Sequence, residues 1–266
     1  MSARKAGIGL VAVVALGAAF CLAACVTTTS SHGGGPETLE KKKKDAAVAN
    51  TSLGIAYLRQ GDVPLAKEKL DRALQEDPTN PEVHSARAML FDRMGEPKQA
   101  DREFKEALTL APNDPDVSNN YAVYLCQSGR TDEGVRRFEA VAHNALYRTP
   151  WIAYTNAGVC LRTAKRDADS INNFKEALQV RPNFAEAAFQ LADTEFQAGN
   201  LTDARTQVDT YIGAFEATPD LLLLGVRIAR AQNDRMAETV YARKLHLDFP
   251  NSSQTQALAA LEQNPG

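Results

Sequence analysis

A spacing of 34 residues between equivalent positions is the strongest constraint in this 266-residue sequence. One set of residues carries the pattern first: Gly54, Tyr57, Gly61, Ala66, Leu70, Ala73 and Pro78. A second set of similar size and chemistry follows at that spacing: Ala88, Phe91, Gly95, Ala100, Phe104, Ala107 and Pro112. A fixed period of this length is typical of solenoids, in which each unit buries its apolar face only against its neighbours. The period therefore predicts an array of similar units.

A pair of antiparallel helices in each unit explains which residue types recur. Two helices approach closely only where side chains are small, so Gly54 or Ala88 in the first helix is expected to meet Ala66 or Ala100 in the second. The prolines that follow, such as Pro78, end the second helix because proline lacks the backbone donor and its ring clashes with the preceding turn. Each repeat is thus predicted to be a helix-turn-helix unit.

The later units keep this pattern less strictly. The third has Ala122, Leu125, Gly129 and Phe138, with weaker fits at Gly134 and Val141. The fourth is displaced by two residues near Thr149 and Pro150 and then has Gly158, Leu161, Phe174, Ala177 and Pro182. The fifth and sixth are marked by Ala192, Gly199, Ala204, Val208, Gly225, Ile228, Ala237, Tyr241 and Pro250. The prediction is an all-α, right-handed superhelical solenoid of about six repeats over residues 47–252, with a helical or frayed tail over 253–266.

The start of the chain has the pattern of an export signal. Arg4 and Lys5 precede an apolar run over residues 6–20, and Leu22-Ala23-Ala24-Cys25 resembles the bacterial lipobox, whose cysteine receives a lipid before cleavage. The alternative is a transmembrane anchor, but the run is shorter than the roughly 20 residues that a spanning helix needs. We therefore expect residues 1–24 to be a cleaved lipoprotein signal peptide and Cys25 to carry the lipid. Because Val26 stands where an inner-membrane retention signal often has Asp, the outer membrane is the expected destination.

Residues 25–46 are predicted to be a lipidated flexible tether. Ser, Thr, Gly and a run of four lysines, Lys41–Lys44, offer too little apolar surface to offset the entropy of ordering. A short basic run beside a lipid anchor is expected to lie against anionic headgroups or in solvent. The formal net charge of the whole chain is −3, which argues against nucleic acid as a partner.

The repeat resembles the tetratricopeptide repeat in its period, small residues, turn glycine and closing proline. Two stretches are more particular: NNYAVYLCQSGRTDEGVRRFEAVAHNALYRTPWIAYTNAGVC and LLLLGVRIARAQNDRMAETVYARKLHLDFPNS. With the lipobox, they resemble the PilF or PilW family of type IV pilus biogenesis lipoproteins. The resemblance implies a lipid-anchored pilotin on the periplasmic side of the outer membrane of a Gram-negative bacterium.

Such a pilotin would depend on the lipoprotein sorting machinery and bind the pilus secretin subunit. It would promote secretin localisation and multimerisation, and so support pilus assembly and twitching motility. The alternative is a tetratricopeptide scaffold lipoprotein that organises other proteins of cell-envelope or peptidoglycan assembly.

Cys126 and Cys160 are the two cysteines that remain beyond the signal and the lipidation site. The family resemblance implies a disulfide between them, in a compartment that oxidises thiols. The repeat register places both on neighbouring first helices, which makes the bond feasible. The alternative is a pair of buried thiols that pack as small apolar side chains.

No enzyme motif is recognisable. The four histidines are scattered with no carboxylate or cysteine at metal-ligand spacing, and no nucleophile motif or phosphate-binding glycine loop is present. We therefore expect a protein that is not an enzyme and that takes no cofactor, metal ion or small-molecule substrate.

The expected partner site is the concave face formed by the first helices. In the tetratricopeptide family, fixed positions of each first helix line this face, and they include Arg59, Asp92 and Arg93 in the first two units. The predicted apolar, partner-binding positions are Ile55, Leu58, Met89, Val123, Val159 and Phe189. The alternative is that several of them pack between repeats. Asn120 and Asn156 are expected to hydrogen-bond backbone between helices, and no paired cation occupies the inner positions that clamp a chain's C-terminal carboxylate in some relatives.

Overall fold

The computed structural model describes residues 36–263, which form thirteen α-helices and, within that range, no strand. The helices are α1 Pro36–Gln60, α2 Val63–Glu76, α3 Pro81–Arg93, α4 Pro97–Leu110, α5 Pro115–Gln127, α6 Thr131–Ala142, α7 Pro150–Thr163, α8 Asp167–Val180, α9 Ala185–Gln197, α10 Leu201–Ala214, α11 Pro219–Ala231, α12 Arg235–Asp248 and α13 Ser253–Gln263. The prediction of an all-α repeat fold is confirmed. None of the described helices combines the length and the apolar character needed to cross a bilayer.

Successive helices pair into six units, from α1 with α2 to α11 with α12, and α13 closes the array. Each first helix packs against the first helix of the next unit, so that α1, α3, α5, α7, α9 and α11 form one layer. Among the described helices, the second helices of neighbouring units make no such contact. Because the first helices lie closer together, their layer is the inner side of the curved array.

Small residues set the spacing inside each pair, although the side chain nearest to a Cβ position at Gly54 is that of Leu70 and not that of Ala66 as predicted. A Cβ atom added to Gly54 would lie 2.5 Å from Cγ of Leu70, and one added to Gly158 would lie 2.5 Å from Cε1 of Phe174. The second helices present Ala66 and equivalent small residues that are fully buried. A larger residue at these crossings would separate the helices and open voids in a densely packed interior.

The turn after each first helix needs one residue in the left-handed backbone region. Glycine occupies this position in four units, for example Gly61 with φ of 81° and Gly199 with φ of 82°. In the fourth and sixth units Lys165 and Asn233 adopt φ of 60° and 58°. Glycine takes this conformation without steric cost, and asparagine tolerates it better than lysine does. The fold therefore holds Lys165 in a conformation that its own side chain disfavours.

The first helix begins earlier than the sequence pattern predicts. Residues 36–46 belong to α1, although they were expected to lie in the tether. Glu, Lys and Ala in this segment favour helix, and Glu40 pairs with Lys44 one turn later, 3.1 Å apart. The signal peptide and Cys25 lie outside the described residues, as do residues 264–266. At the other end, α13 buries Thr255 and Leu258 and covers α11.

Candidate partner-binding groove

A cavity of about 500 Å³ opens on the inner face between α1, α3 and α5. Four of the predicted partner-binding residues line it together: Ile55, Leu58, Met89 and Val123. Phe104 and Tyr124, both buried, complete the apolar part of the wall. Met89 keeps 37% of its surface exposed, so the apolar part of the wall is open to solvent. The structure thus brings these four side chains to one concave surface, which we call the groove.

The groove side chains form two parallel rows. Counted from residues 47, 81 and 115, the ninth residues are apolar, namely Ile55, Met89 and Val123. The thirteenth residues are hydrogen-bond donors, namely Arg59, Arg93 and Gln127. Residues four apart lie on the same face of a helix, so each helix presents one apolar residue and one donor a turn further on. A ligand lying across the three helices would meet both rows.

The groove carries both signs of charge, with cations in excess. Asp92 is the acidic residue in the lining, against Arg59 and Arg93. Partial desolvation raises the pKa of the Asp92 carboxyl, while the charge of Arg93 acts in the opposite direction. Across residues 36–263, neither Arg59 nor Arg93 forms an ion pair.

Two of the predicted partner-binding residues, Val159 and Phe189, do not line this cavity. Val159 is on α7, one helix beyond α5, and Phe189 on α9 packs partly buried against the C-terminal core. Phe189 is the fifth residue of its unit, whereas the apolar row of the cavity uses ninth residues. Both residues lie on first helices of the inner layer, and their part in binding a partner stays a prediction.

Asparagine side chains tie the first helices to one another beside the groove. Nδ2 of Asn120 donates to Oγ of Ser85 at 3.3 Å, and Nδ2 of Asn156 donates to Oδ1 of Asn119 at 3.3 Å. The predicted link between helices is present, but the acceptors are side chains of the preceding unit and not backbone carbonyls. These bonds hold α3, α5 and α7 in register.

A disulfide joins Cys126 on α5 to Cys160 on α7, with an S–S distance of 2.02 Å and Cα atoms 5.6 Å apart. The bond that the family resemblance implied is therefore a feature of the structure. Cys126 immediately precedes Gln127 of the donor row. The disulfide fixes the third unit, which has the most degenerate repeat pattern, to the fourth unit. Within the described part of the chain, no group of three or more His, Cys, Asp or Glu residues is placed to hold a metal ion.

Comparison with known proteins first identifies the class of protein to which the repeats belong. Models of the tetratricopeptide repeat match residues 37–81, 81–114 and 161–224. Together these ranges cover more than half of the chain, and the helix pairs described above have the same arrangement. The chain is a tetratricopeptide-repeat protein.

Relatives in sequence and in structure narrow this class. PilF of Pseudomonas aeruginosa, a type IV pilus assembly protein, is 29% identical over 216 residues, which are 81% of this chain and 86% of PilF. The solved structure of that PilF superposes with a TM-score of 0.61, and the matched region is 99% of the PilF chain in that structure. The crystal structure of PilW, a widely conserved type IV pilus biogenesis factor, superposes with a TM-score of 0.64 at 30% sequence identity. The matched region is 80% of this chain and 98% of the PilW chain. The chain belongs to the PilF and PilW family of type IV pilus proteins.

Proposed function

We propose that this protein is a type IV pilus pilotin: a non-catalytic outer-membrane lipoprotein that binds the secretin subunit and promotes its placement and multimerisation. The observation that carries the proposal is the near-complete coverage of PilW, a type IV pilus biogenesis factor, by a chain that keeps an open apolar groove. Tetratricopeptide arrays act by presenting such concave surfaces to other proteins. The same family match favours this function over a scaffold for peptidoglycan assembly.

The groove supplies the binding step of this proposal. Ile55, Met89 and Val123 are incompletely buried on the inner face, so apolar side chains of a secretin segment would remove further surface from water there. The recognition of a short segment in an apolar groove is a common mode of protein binding. The walls are held by helix packing and by the disulfide, which limits the entropy lost on binding.

The lipid on Cys25 would supply the placement step. The predicted signal peptide and lipobox would direct the chain to export and lipidation, and the sorting machinery would carry it to the outer membrane. A secretin subunit held in the groove would travel with it. Transport and binding would then reside in one covalent chain.

The first test compares wild-type cells with cells that lack this protein. An immunoblot of outer-membrane fractions measures detergent-resistant secretin multimers. We expect multimers to disappear and secretin monomers to collect elsewhere in the envelope. Normal multimers in the outer membrane of the deletion strain would reject the pilotin function.

A pair of methionine variants tests the groove within the same assay. Met89→Asp places a charge in the apolar row and is expected to abolish secretin binding and multimer formation. Met236→Asp is the matched control, because Met236 lies on α12 with 81% of its surface exposed. Equal binding by the two variants would exclude the groove as the secretin site.

A third variant separates placement from binding. Cys25→Ser is expected to leave a folded protein that still binds secretin but no longer delivers it to the outer membrane. Secretin pores at wild-type level in the outer membrane of this strain would refute the anchoring step.

A further inference from the structure

Arginines between neighbouring units of this solenoid are usually paired with acids. Arg130 contacts Asp101 at 2.9 Å, Arg162 contacts Asp193 at 2.9 Å, and Arg166 contacts Asp132 at 2.7 Å. Arg87 contacts both Asp71 and Glu103, and Arg205 contacts Asp234 at 2.6 Å. Arg59 and Arg93 differ, since within residues 36–263 neither forms an ion pair, although both line a partly apolar cavity and the charge of Arg93 acts on Asp92.

Their register gives the two groove arginines a common orientation. Each follows an apolar groove residue by four positions, Arg59 after Ile55 and Arg93 after Met89, on helices that pack side by side. Adjacent helices are about 8–10 Å apart, so the two arginines at equivalent positions form one cationic edge beside the apolar row. Gln127 continues this edge on α5 with a neutral donor.

We propose that the groove recognises an amphipathic segment of the secretin that carries acidic side chains along one edge and apolar side chains along the other. The inference rests on the proposed function and adds the chemistry of the segment. The apolar side chains of the segment lie over Ile55, Met89 and Val123. Its carboxylates bind Arg59 and Arg93. Arginine suits this task because its planar group donates two parallel hydrogen bonds to a carboxylate.

The acid within the lining sharpens this specificity. Asp92 stands immediately before Arg93 in the chain and lines the same cavity. The negative charge of its carboxylate would repel a further carboxylate placed beside it. The acidic side chains of the segment are therefore confined to the arginine edge, which fixes the direction in which the segment lies.

The test measures binding of the purified secretin subunit to the full chain at several NaCl concentrations. Arg59→Gln/Arg93→Gln is compared with Arg102→Gln/Arg136→Gln. The control pair lies exposed on the second helices α4 and α6, has no ion pair in the described range, and changes the net charge equally. The control thus accounts for long-range attraction between the two proteins.

We expect the groove double variant to raise Kd at least about tenfold and to reduce the dependence of Kd on salt, with the control within about twofold of wild type. Circular dichroism should show both variants folded, because the exchanged side chains are exposed. If the groove variant matches its control in Kd and salt dependence, the acidic-edge inference is overturned while secretin binding stands. If the wild-type chain does not bind the subunit at all, the proposed function itself fails.

Discussion

Gly134 departs from the repeat pattern because a side chain on the facing helix leaves no room for a larger residue. The position is alanine in units one, two, five and six, and the sequence pattern alone marks glycine there as a weak fit. A Cβ at Gly134 would lie 2.4 Å from Sγ of Cys126 and 3.0 Å from the carbonyl oxygen of Ala122. The disulfide sulfur thus occupies the volume that a methyl group fills elsewhere. Without knowledge of the disulfide, the sequence gives no reason for glycine in place of alanine at this position.

Gly134→Ala is therefore expected to lower the free energy of unfolding by about 1–3 kcal/mol, because the interior cannot absorb an added methyl group without shifts. Urea denaturation measures the change. Gly213→Ala on α10 is the control, since nothing lies within 4 Å of its Cβ position, and it should be neutral or slightly stabilising. In a chain that also carries Cys126→Ala, the penalty should shrink because the sulfur is gone. An undiminished penalty there would disprove this steric account.

His84 is a buried histidine with acceptors on both sides of its ring. Nδ1 lies 2.7 Å from Oε2 of Glu103, and Nε2 lies 2.9 Å from the carbonyl oxygen of Pro78. Two acceptors require two donors, so the arrangement favours the imidazolium form. The hydrogen bond to Glu103 raises the pKa of His84 above 6.5, burial opposes this, and the Pro78 carbonyl and the charges of Glu103 and Glu106 add to it.

Because the folded-state pKa of His84 is raised, its stabilising contribution is complete below about pH 6.5 and is lost as the pH rises through the folded-state pKa. We expect the free energy of unfolding to fall over this range in the wild type and to be flatter in His84→Gln. Chemical denaturation at half-unit pH steps checks this. His143→Gln is the control, as His143 is exposed. A wild-type slope that survives in His84→Gln would locate the titrating group elsewhere.

At the scale of the helix, the period predicts which helices exist better than where they begin or what they contact. Small residues, turn glycines and prolines are local features, so the pairs from α1 with α2 to α11 with α12 follow from the sequence. The early start of α1 does not follow from the pattern, because low apolar content predicts a tether whereas Glu and Lys also favour helix. Val159 and Phe189 do not line the cavity because they lie on α7 and α9, beyond the three first helices that form it, and no single repeat encodes where along the array a cavity ends.

The disulfide is the covalent link between two of these helices. Removing it by Cys126→Ala/Cys160→Ala is expected to lower the free energy of unfolding by about 3–4 kcal/mol, because a closed loop of 34 residues would regain its freedom in the unfolded chain. Urea denaturation with and without reductant measures this: reductant should destabilise the wild type and leave the double variant unchanged. Hydrogen exchange should increase first in α5–α8. A double variant as stable as the oxidised wild type would show that helix packing alone holds these units.

At the scale of the whole molecule, the groove and the C-terminal apolar cluster lie at different places along the array. The groove uses α1, α3 and α5, whereas a separate apolar cluster spans the C-terminal units and includes Leu222, Ile228 and Leu258. In a solenoid each unit is stabilised mainly by its neighbours, so a local loss of packing mainly lowers the stability of the adjacent units. The two ends of this chain should therefore respond separately to mutation.

Deletion of residues 253–266 tests this separation by removing α13, the cap of the array. Leu258 is almost fully buried, and Nε2 of Gln254 donates to Oδ1 of Asp220 on α11 at 2.7 Å. Without the cap, apolar surface of α11 is exposed, and hydrogen exchange in α11 and α12 should accelerate while that in α3 and α5 is unchanged. The Kd for the secretin subunit should stay within about twofold of wild type, because no groove residue contacts α13. Weaker secretin binding in a truncated chain that keeps its protection in α3 and α5 would mean that the C-terminal units also touch the partner, and the binding surface would have to be extended beyond the groove.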